Sequence, residues 1–253
     1  MSKELYPIGF GRNESGAPRP KVVSQYLLEA MVTAGIREAF VILRPGKWDI
    51  PAYFGDGTEF GIRLAYLTTH IPFGVPFTAD QAFPFVRGLT VALGFPDILF
   101  TPVNAYGSLL RRLHLGKADV VIGLFPTEEP QNVGVVELDE HGRVWGIHEK
   151  SNFSHLPLMW AMGVWRPTFT EFLHDYIDTR LKAVLNGQAA ADQVLTPDYK
   201  ELPMGDVIHA AIKAGLVVEA ETFFEGRYVD IGTPEGLRKA VEHEAPYWSS
   251  ARG

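Results

Sequence analysis

The stretch Val22-Val-Ser-Gln-Tyr-Leu-Leu-Glu-Ala-Met-Val-Thr-Ala-Gly-Ile-Arg-Glu-Ala-Phe-Val-Ile-Leu-Arg-Pro-Gly46 decides the fold class, because two periodicities meet inside it. Val23, Tyr26, Leu27, Ala30 and Met31 recur at helical spacing and Gly35 supplies a C-cap, so a helix is predicted over 22–34. Ala39-Phe-Val-Ile-Leu43 follows as an unbroken β-branched and aromatic run closed by Pro45-Gly46, the pattern of a strand buried on both faces. Helix followed by buried strand is the grammar of a parallel sheet.

The same grammar extends outward in both directions. Strands are predicted at Ile62–Leu67, Thr90–Phe95 and Asp119–Phe125, with helices at Asp80–Leu89 and Leu109–Leu115 between them. This alternation argues for a doubly wound α/β sheet that binds ligands at the carboxyl ends of its strands, and Phe95–Ile98 is such an end. Val133-Gly-Val-Val-Glu-Leu138 and Arg143-Val-Trp-Gly-Ile-His148, joined by Asp139–Gly142, read as a β-hairpin, so the sheet is mixed. Beyond it come strands at Met159–Trp165, Val217–Glu221 and near Tyr228-Val229, and helices at Phe169–Leu185, Gly205–Lys213 and Pro234–Glu244, with Asp206 and Thr233 placed as N-caps. Gly11–Pro20 reads as a loop from its Gly, Pro and polar content, and Asn186–Leu202 receives no assignment. With no internal repeat and no low-complexity linker, 1–253 is expected to form a single domain.

Composition narrows the function. The 30 acidic residues outnumber the 23 Lys plus Arg for a net charge of -7, and no basic cluster is present to track a polyanion, so nucleic acid is not expected as a partner. The absence of cysteine excludes a disulfide framework, a thiolate metal site and a cysteine nucleophile. Met1–Phe10 carries Lys3 and Glu4 and has no long apolar run; neither a signal peptide nor a membrane span is expected there, and a cytoplasmic protein is.

Four places offer chemistry. Asp97 closes a buried strand, where a carboxylate is costly unless something ligates it; as a residue type it serves equally as a turn aspartate after Pro96. Asp230 in Tyr228-Val-Asp-Ile-Gly-Thr-Pro-Glu235 precedes a turn into a helix, and alone reads as a helix-entry device. Two such carboxylates brought together would suit Mg²⁺, which takes one or two carboxylates plus phosphate oxygens. Glu149-Lys150 offers an acceptor beside a point charge for phosphate, against the plainer reading of a solvated turn. Arg44 and Lys47 add two cations at a strand end, as loop charges or as a nucleotide-phosphate contact.

Four segments in register resemble the sugar-nucleotide nucleotidyltransferases, the family of glucose-1-phosphate thymidylyl- and uridylyltransferases. Ser2-Lys-Glu-Leu-Tyr-Pro-Ile8 is similar to that family's Pro-Lys-x-Leu-Leu-Pro-Val motif, and Phe54-Gly-Asp-Gly-Thr-Glu-Phe-Gly-Ile-Arg-Leu-Ala-Tyr66 to its Gly-Asp-Gly segment. Gly134 through Glu149-Lys150 resembles the hairpin leading to Glu-Lys-Pro, and Val229-Asp-Ile-Gly-Thr-Pro-Glu235 the closing Asp-(Ile/Thr)-Gly-Thr-Pro motif. The resemblance implies a three-layer αβα, Rossmann-like fold with a mostly parallel mixed sheet and a hairpin insertion. It implies Asp97 and Asp230 as Mg²⁺ ligands, Lys150 as the sugar-phosphate lysine, Glu149 as a sugar-hydroxyl acceptor beside Gly134, and Lys3 as a phosphate-facing lysine. Thr69 and Gly74 fall in the region that reads the base. The implied reaction joins a sugar-1-phosphate to a nucleoside triphosphate with loss of pyrophosphate, and relatives commonly form homo-oligomers.

Departures qualify the match. The family pattern opens with a strand and a Gly-rich triphosphate loop ahead of its Pro-Lys motif, whereas this sequence opens at that motif. Loss of a central strand would expose two sheet edges, so a shortened form of a longer parent is expected rather than a natural short form. A non-catalytic protein that keeps the sugar-phosphate pocket is the alternative. Pro96 and Ile98 flank Asp97 where the family has Gly and Asn, Ser or Ala, and Ser151 replaces the proline after Lys150.

Overall fold

The computed structural model describes residues 1–12, 16–70, 73–150, 156–183 and 201–244. In chain order the elements are β1 (Pro7–Arg12), β2 (Pro18–Val22), α1 (Val23–Thr33), β3 (Glu38–Leu43), α2 (Asp49–Phe54), β4 (Arg63–Thr68), α3 (Val75–Asp80) and α4 (Phe83–Val86). There follow β5 (Val91–Leu93), β6 (Ile98–Thr101), α5 (Ala105–Leu115), β7 (Val120–Pro126), β8 (Gly134–Leu138), β9 (Val144–Glu149) and β10 (Leu158–Trp165). The last are α6 (Pro167–Ala183), α7 (Met204–Lys213), β11 (Val218–Thr222), β12 (Arg227–Asp230) and α8 (Pro234–Lys239).

β7 shows why the molecule has three layers. Its residues alternate between two apolar clusters: Val121 and Phe125 join α1 and α5 on one face, while Val120, Ile122 and Leu124 join α3, α6 and α7 on the other. A strand buried on both faces reads as a continuous apolar run, and each such Val, Ile, Leu or Phe contributes roughly 1.5–3 kcal/mol on burial. β7 lies between β11, which runs parallel to it, and β10, which runs antiparallel. β10 pairs in turn with β5 and, through Met159, with β8 of the β8–β9 hairpin. β5, β7, β8 and β11 therefore run in one direction and β9 and β10 in the other, which makes the sheet mixed. β3 and β4 form a separate parallel pair, and β12 pairs antiparallel with β6.

Several expectations need correction. Ala39–Ile42 is half-buried and only Leu43 is buried, because β3 carries a ladder to β4 alone among the described residues. The helix placed at Asp80–Leu89 is instead two short helices, α3 and α4: Pro76 starts the first, and Pro84 starts the second after a turn at Gln81-Ala82. Proline presets the helical φ at a first turn and cannot continue an interior, so the two prolines set the boundaries. Gly11–Pro20 is partly sheet, since Gly11 pairs with Arg19 in the β1–β2 ladder. Asp206 sits in the first turn of α7, whose N-cap is Pro203, whereas Thr233 does cap α8. Most of Asn186–Leu202, the end of the helix placed at Phe169–Leu185, and Ser151 lie outside the described residues. Among the described residues no helix is long and apolar enough to cross a membrane.

Candidate active site

The β6–β12 ladder brings the two expected carboxylates together. Asp230 is in register with Ile98, and the Ile231 N–H donates to the Asp97 carbonyl at 3.0 Å, so the turn carrying Asp97 and the end of β12 are bonded side by side. Lys3 arrives from elsewhere: its Nζ donates to Asp97 Oδ2 at 2.6 Å. The lysine is held there by its neighbours. The Ser2 backbone N–H and hydroxyl donate to Asp49 at 2.6 and 2.7 Å, Glu4 pairs with Lys47, and the Ser24 hydroxyl donates to the Glu4 carbonyl at 2.7 Å. Lys47 is thus taken by Glu4, and Arg44 lies 3.7 Å from Glu201, so both strand-end cations have carboxylate neighbours.

Gly232 completes this corner. Its N–H donates to Asp230 Oδ1 at 2.7 Å, and a Cβ there would lie 2.8 Å from Asp230 Oδ1, 2.9 Å from Lys3 Nζ and 3.2 Å from Asp97 Oδ2. Only glycine leaves that space open. Burial, the Asp97 charge adding to it, holds the Asp230 carboxyl above its ordinary range, and the Gly232 N–H and Lys3 only partly oppose this. Lys3 is lowered by burial but raised more by its hydrogen bond to Asp97 and by the charges of Asp97, Glu4 and Asp230, and its net shift is upward. Among the described residues no three His, Cys, Asp or Glu side chains cluster tightly enough to cage a metal. Two carboxylates facing an open space fit Mg²⁺, which completes its shell with water and substrate phosphate, and not a metal needing an all-protein cage.

A second group lies across Phe95, whose ring meets Trp160 edge-on with centroids 6.1 Å apart. The Trp160 indole N–H donates to Glu149 Oε1 at 3.1 Å. Gly134 is in register with Glu149, and a Cβ on Gly134 would lie 2.6 Å from Trp160 Nε1 and 2.8 Å from Glu149 Oε1. A Cβ on Gly205 would fall 2.0 Å from the same oxygen. Two glycines therefore flank this carboxylate. Burial pushes the Glu149 carboxyl upward, with Asp206 adding to the rise, against the hydrogen bonds from Trp160 and the Gly205 backbone and the charge of Lys150.

Lys150 follows directly, with a left-handed φ of 46° and an N–H donating to the Val133 carbonyl at 3.1 Å; this tight turn projects it off the end of β9. Thr69 is buried at the end of β4, its N–H donating to the Leu43 carbonyl at 3.0 Å. Gly74, with φ of 106°, caps α3, and a Cβ on it would strike the Leu202 carbonyl at 2.2 Å. Gly74 thus has a packing role that its sequence context did not reveal.

Trp160, Gly205 and Gly232 are the residues that reading the sequence missed. β10 is buried along nearly its whole length, so alternation marks no face of it, and Trp160 reads as one more core aromatic. Gly232 had a signal in its position two residues after Asp230, where a turn needs a close backbone approach.

The family model for nucleotidyl transferases matches residues 5–245. The chain is 26% identical over 222 residues to the low-salt glycan biosynthesis nucleotidyltransferase of Haloferax volcanii, an alignment covering 87% of this chain and 56% of the relative. It is 31% identical over 150 residues to glucose-1-phosphate thymidylyltransferase of Mycolicibacterium smegmatis, covering 58% and 51%. The chain thus spans about half the length of these curated relatives. Among solved structures, UDP-glucose pyrophosphorylase from Acinetobacter baumanii superposes with a TM-score of 0.71 at 18% identity, covering 96% of this chain and 86% of the other, which shows the shared fold. With a family match running almost end to end, this chain belongs to the nucleotidyl transferase family.

Proposed function

We propose that the chain, as one domain, joins a sugar-1-phosphate to a nucleoside triphosphate and releases pyrophosphate. The observation that carries this reading is the convergence of Lys3, Asp97 and Asp230 around the space left by Gly232, one aromatic ring away from Glu149, Trp160 and Gly134. An oxygen of the sugar phosphate attacks the α-phosphorus in line, the bond from that phosphorus to the bridging oxygen breaks, and pyrophosphate leaves with the electron pair. Asp97 and Asp230 would hold Mg²⁺, which would supply charge neutralisation for the phosphates.

The remaining work falls to the chain's own residues. Lys150 sits where an ammonium neutralises the sugar-linked phosphate, and Glu149 accepts a sugar hydroxyl. Gly134 and Gly205, by lacking side chains, make room for that carboxylate. Lys3 faces the triphosphate, and Thr69 and Gly74 belong to the part that reads the base. Positioning and electrostatics suffice for such a transfer, with no covalent enzyme intermediate.

The test incubates the protein with Mg²⁺, glucose-1-phosphate and each nucleoside triphosphate in turn, and follows pyrophosphate. Release with one or more triphosphates is expected, and Asp97→Asn is expected to lower it by at least about a hundredfold, the order seen on removing one electrostatic group from a transition state. No release with any triphosphate sinks the catalytic reading, and full activity in Asp97→Asn sinks the assignment of that carboxylate.

A further inference from the structure

The Lys3 ammonium lies in the same space that the two carboxylates leave open. Its Nζ is 2.6 Å from Asp97 Oδ2, and a Cβ on Gly232 would meet Lys3 Nζ, Asp97 Oδ2 and Asp230 Oδ1 all within 3.2 Å, so these three groups share one pocket corner. A cation bound to both carboxylates needs the position that the ammonium now fills, since two positive centres at that separation repel strongly. We propose that Lys3 is a built-in counter-ion that competes with the divalent cation for Asp97 and Asp230, and that cation binding displaces its ammonium toward the triphosphate. The inference rests on the nucleotidyltransferase reading for the destination of the displaced lysine, but not for the competition itself.

Two structural features favour a side chain that moves. Its backbone is anchored in the turn Lys3–Leu5 by the Ser2–Asp49 bonds and by buried Leu5, so only the side chain needs to swing. That side chain is half exposed, so it has solvent to swing into. The site thereby offsets one of its two negative charges without metal, and the lysine becomes free for a phosphate only once metal has arrived.

The experiment measures Mn²⁺ binding to the whole protein without nucleotide, by electron paramagnetic resonance of free Mn²⁺ and by calorimetry. Lys3→Gln and Lys3→Met are expected to bind Mn²⁺ about tenfold more tightly than the parent, because a competing unit charge at contact distance is gone. Lys3→Arg keeps the charge and should stay near the parent. Unchanged or weaker binding in both neutral variants overturns the proposal, as does a failure of either neutral variant to bind Mn²⁺ at all. Asp97→Asn in the Lys3→Gln background should abolish the gain; if it does not, the tighter ion sits elsewhere and the proposal falls. Pyrophosphate release that depends on Asp97, combined with Mn²⁺ affinity indifferent to Lys3, would leave the catalytic reading standing and remove this one.

Discussion

Glu149 carries the clearest residue-level consequence, because its carboxylate is buried between glycines with an indole N–H as its side-chain donor. Burial raises its pKa above the ordinary 4.5, so the folded state holds this proton more tightly than the unfolded chain does. Linkage then fixes the sign: its contribution to stability is fully present below the ordinary value and is lost as pH rises through the raised one, where the fold must carry a buried charge. Glu149→Gln keeps an acceptor oxygen and cannot ionise. Urea unfolding of the variant across this range should show a shallower fall of stability with rising pH than the parent, together with a higher KM for the sugar phosphate. Identical slopes in the two proteins would mean that Glu149 ionises in the fold as freely as in water. Its place after a hairpin and next to a lysine marked this residue only weakly, and the family resemblance is what gave it a role. Trp160 was not, since in a strand buried along its length no alternation singles out the side chain that turns toward the site.

At the scale of elements, legibility followed how many independent signals each segment carried. β7 and the β8–β9 hairpin were placed within about a residue or two, as a long apolar run and a polar turn leave few alternatives. α3 was missed because Val75, Pro76 and Phe77 follow Gly74 in a stretch that reads as a turn, and the helix opened by Pro76 is only six residues long. The register of β12 on β6, which sets Asp230 beside Asp97, has no local signature at all: the strands are four residues each and come from distant parts of the chain. α8 tests how far such a short element depends on its cap. Thr233 Oγ1 accepts from the Gly236 N–H at 3.0 Å, so Thr233→Ala should cost about 1 kcal/mol, read as a lower urea midpoint at unchanged slope. A loss within the error of that measurement would show that α8 is held by its packing alone.

At the scale of the whole molecule, the proposed cation site reinforces a junction that the β6–β12 ladder already makes between the turn carrying Asp97 and the end of β12. Asp97 follows β5, whose ladder leads to β10 and β7, while Asp230 ends β12, which pairs only with β6 among the described residues. An ion that binds this folded arrangement and not the unfolded chain stabilises by mass action, about 2.7 kcal/mol at a concentration near 100 times its Kd. For a chain of this size, each kcal/mol raises Tm by roughly 2–4 °C. Mg²⁺ should therefore raise Tm progressively in the parent, and this needs no turnover and no knowledge of the base or sugar. Asp97→Asn and Asp230→Asn should each remove most of that rise, while Lys239→Ala, an exposed position on α8, should keep it. A Tm that climbs equally in all four proteins would trace the effect to general screening of the net charge of -7 and would separate the two carboxylates from any role in holding the ion.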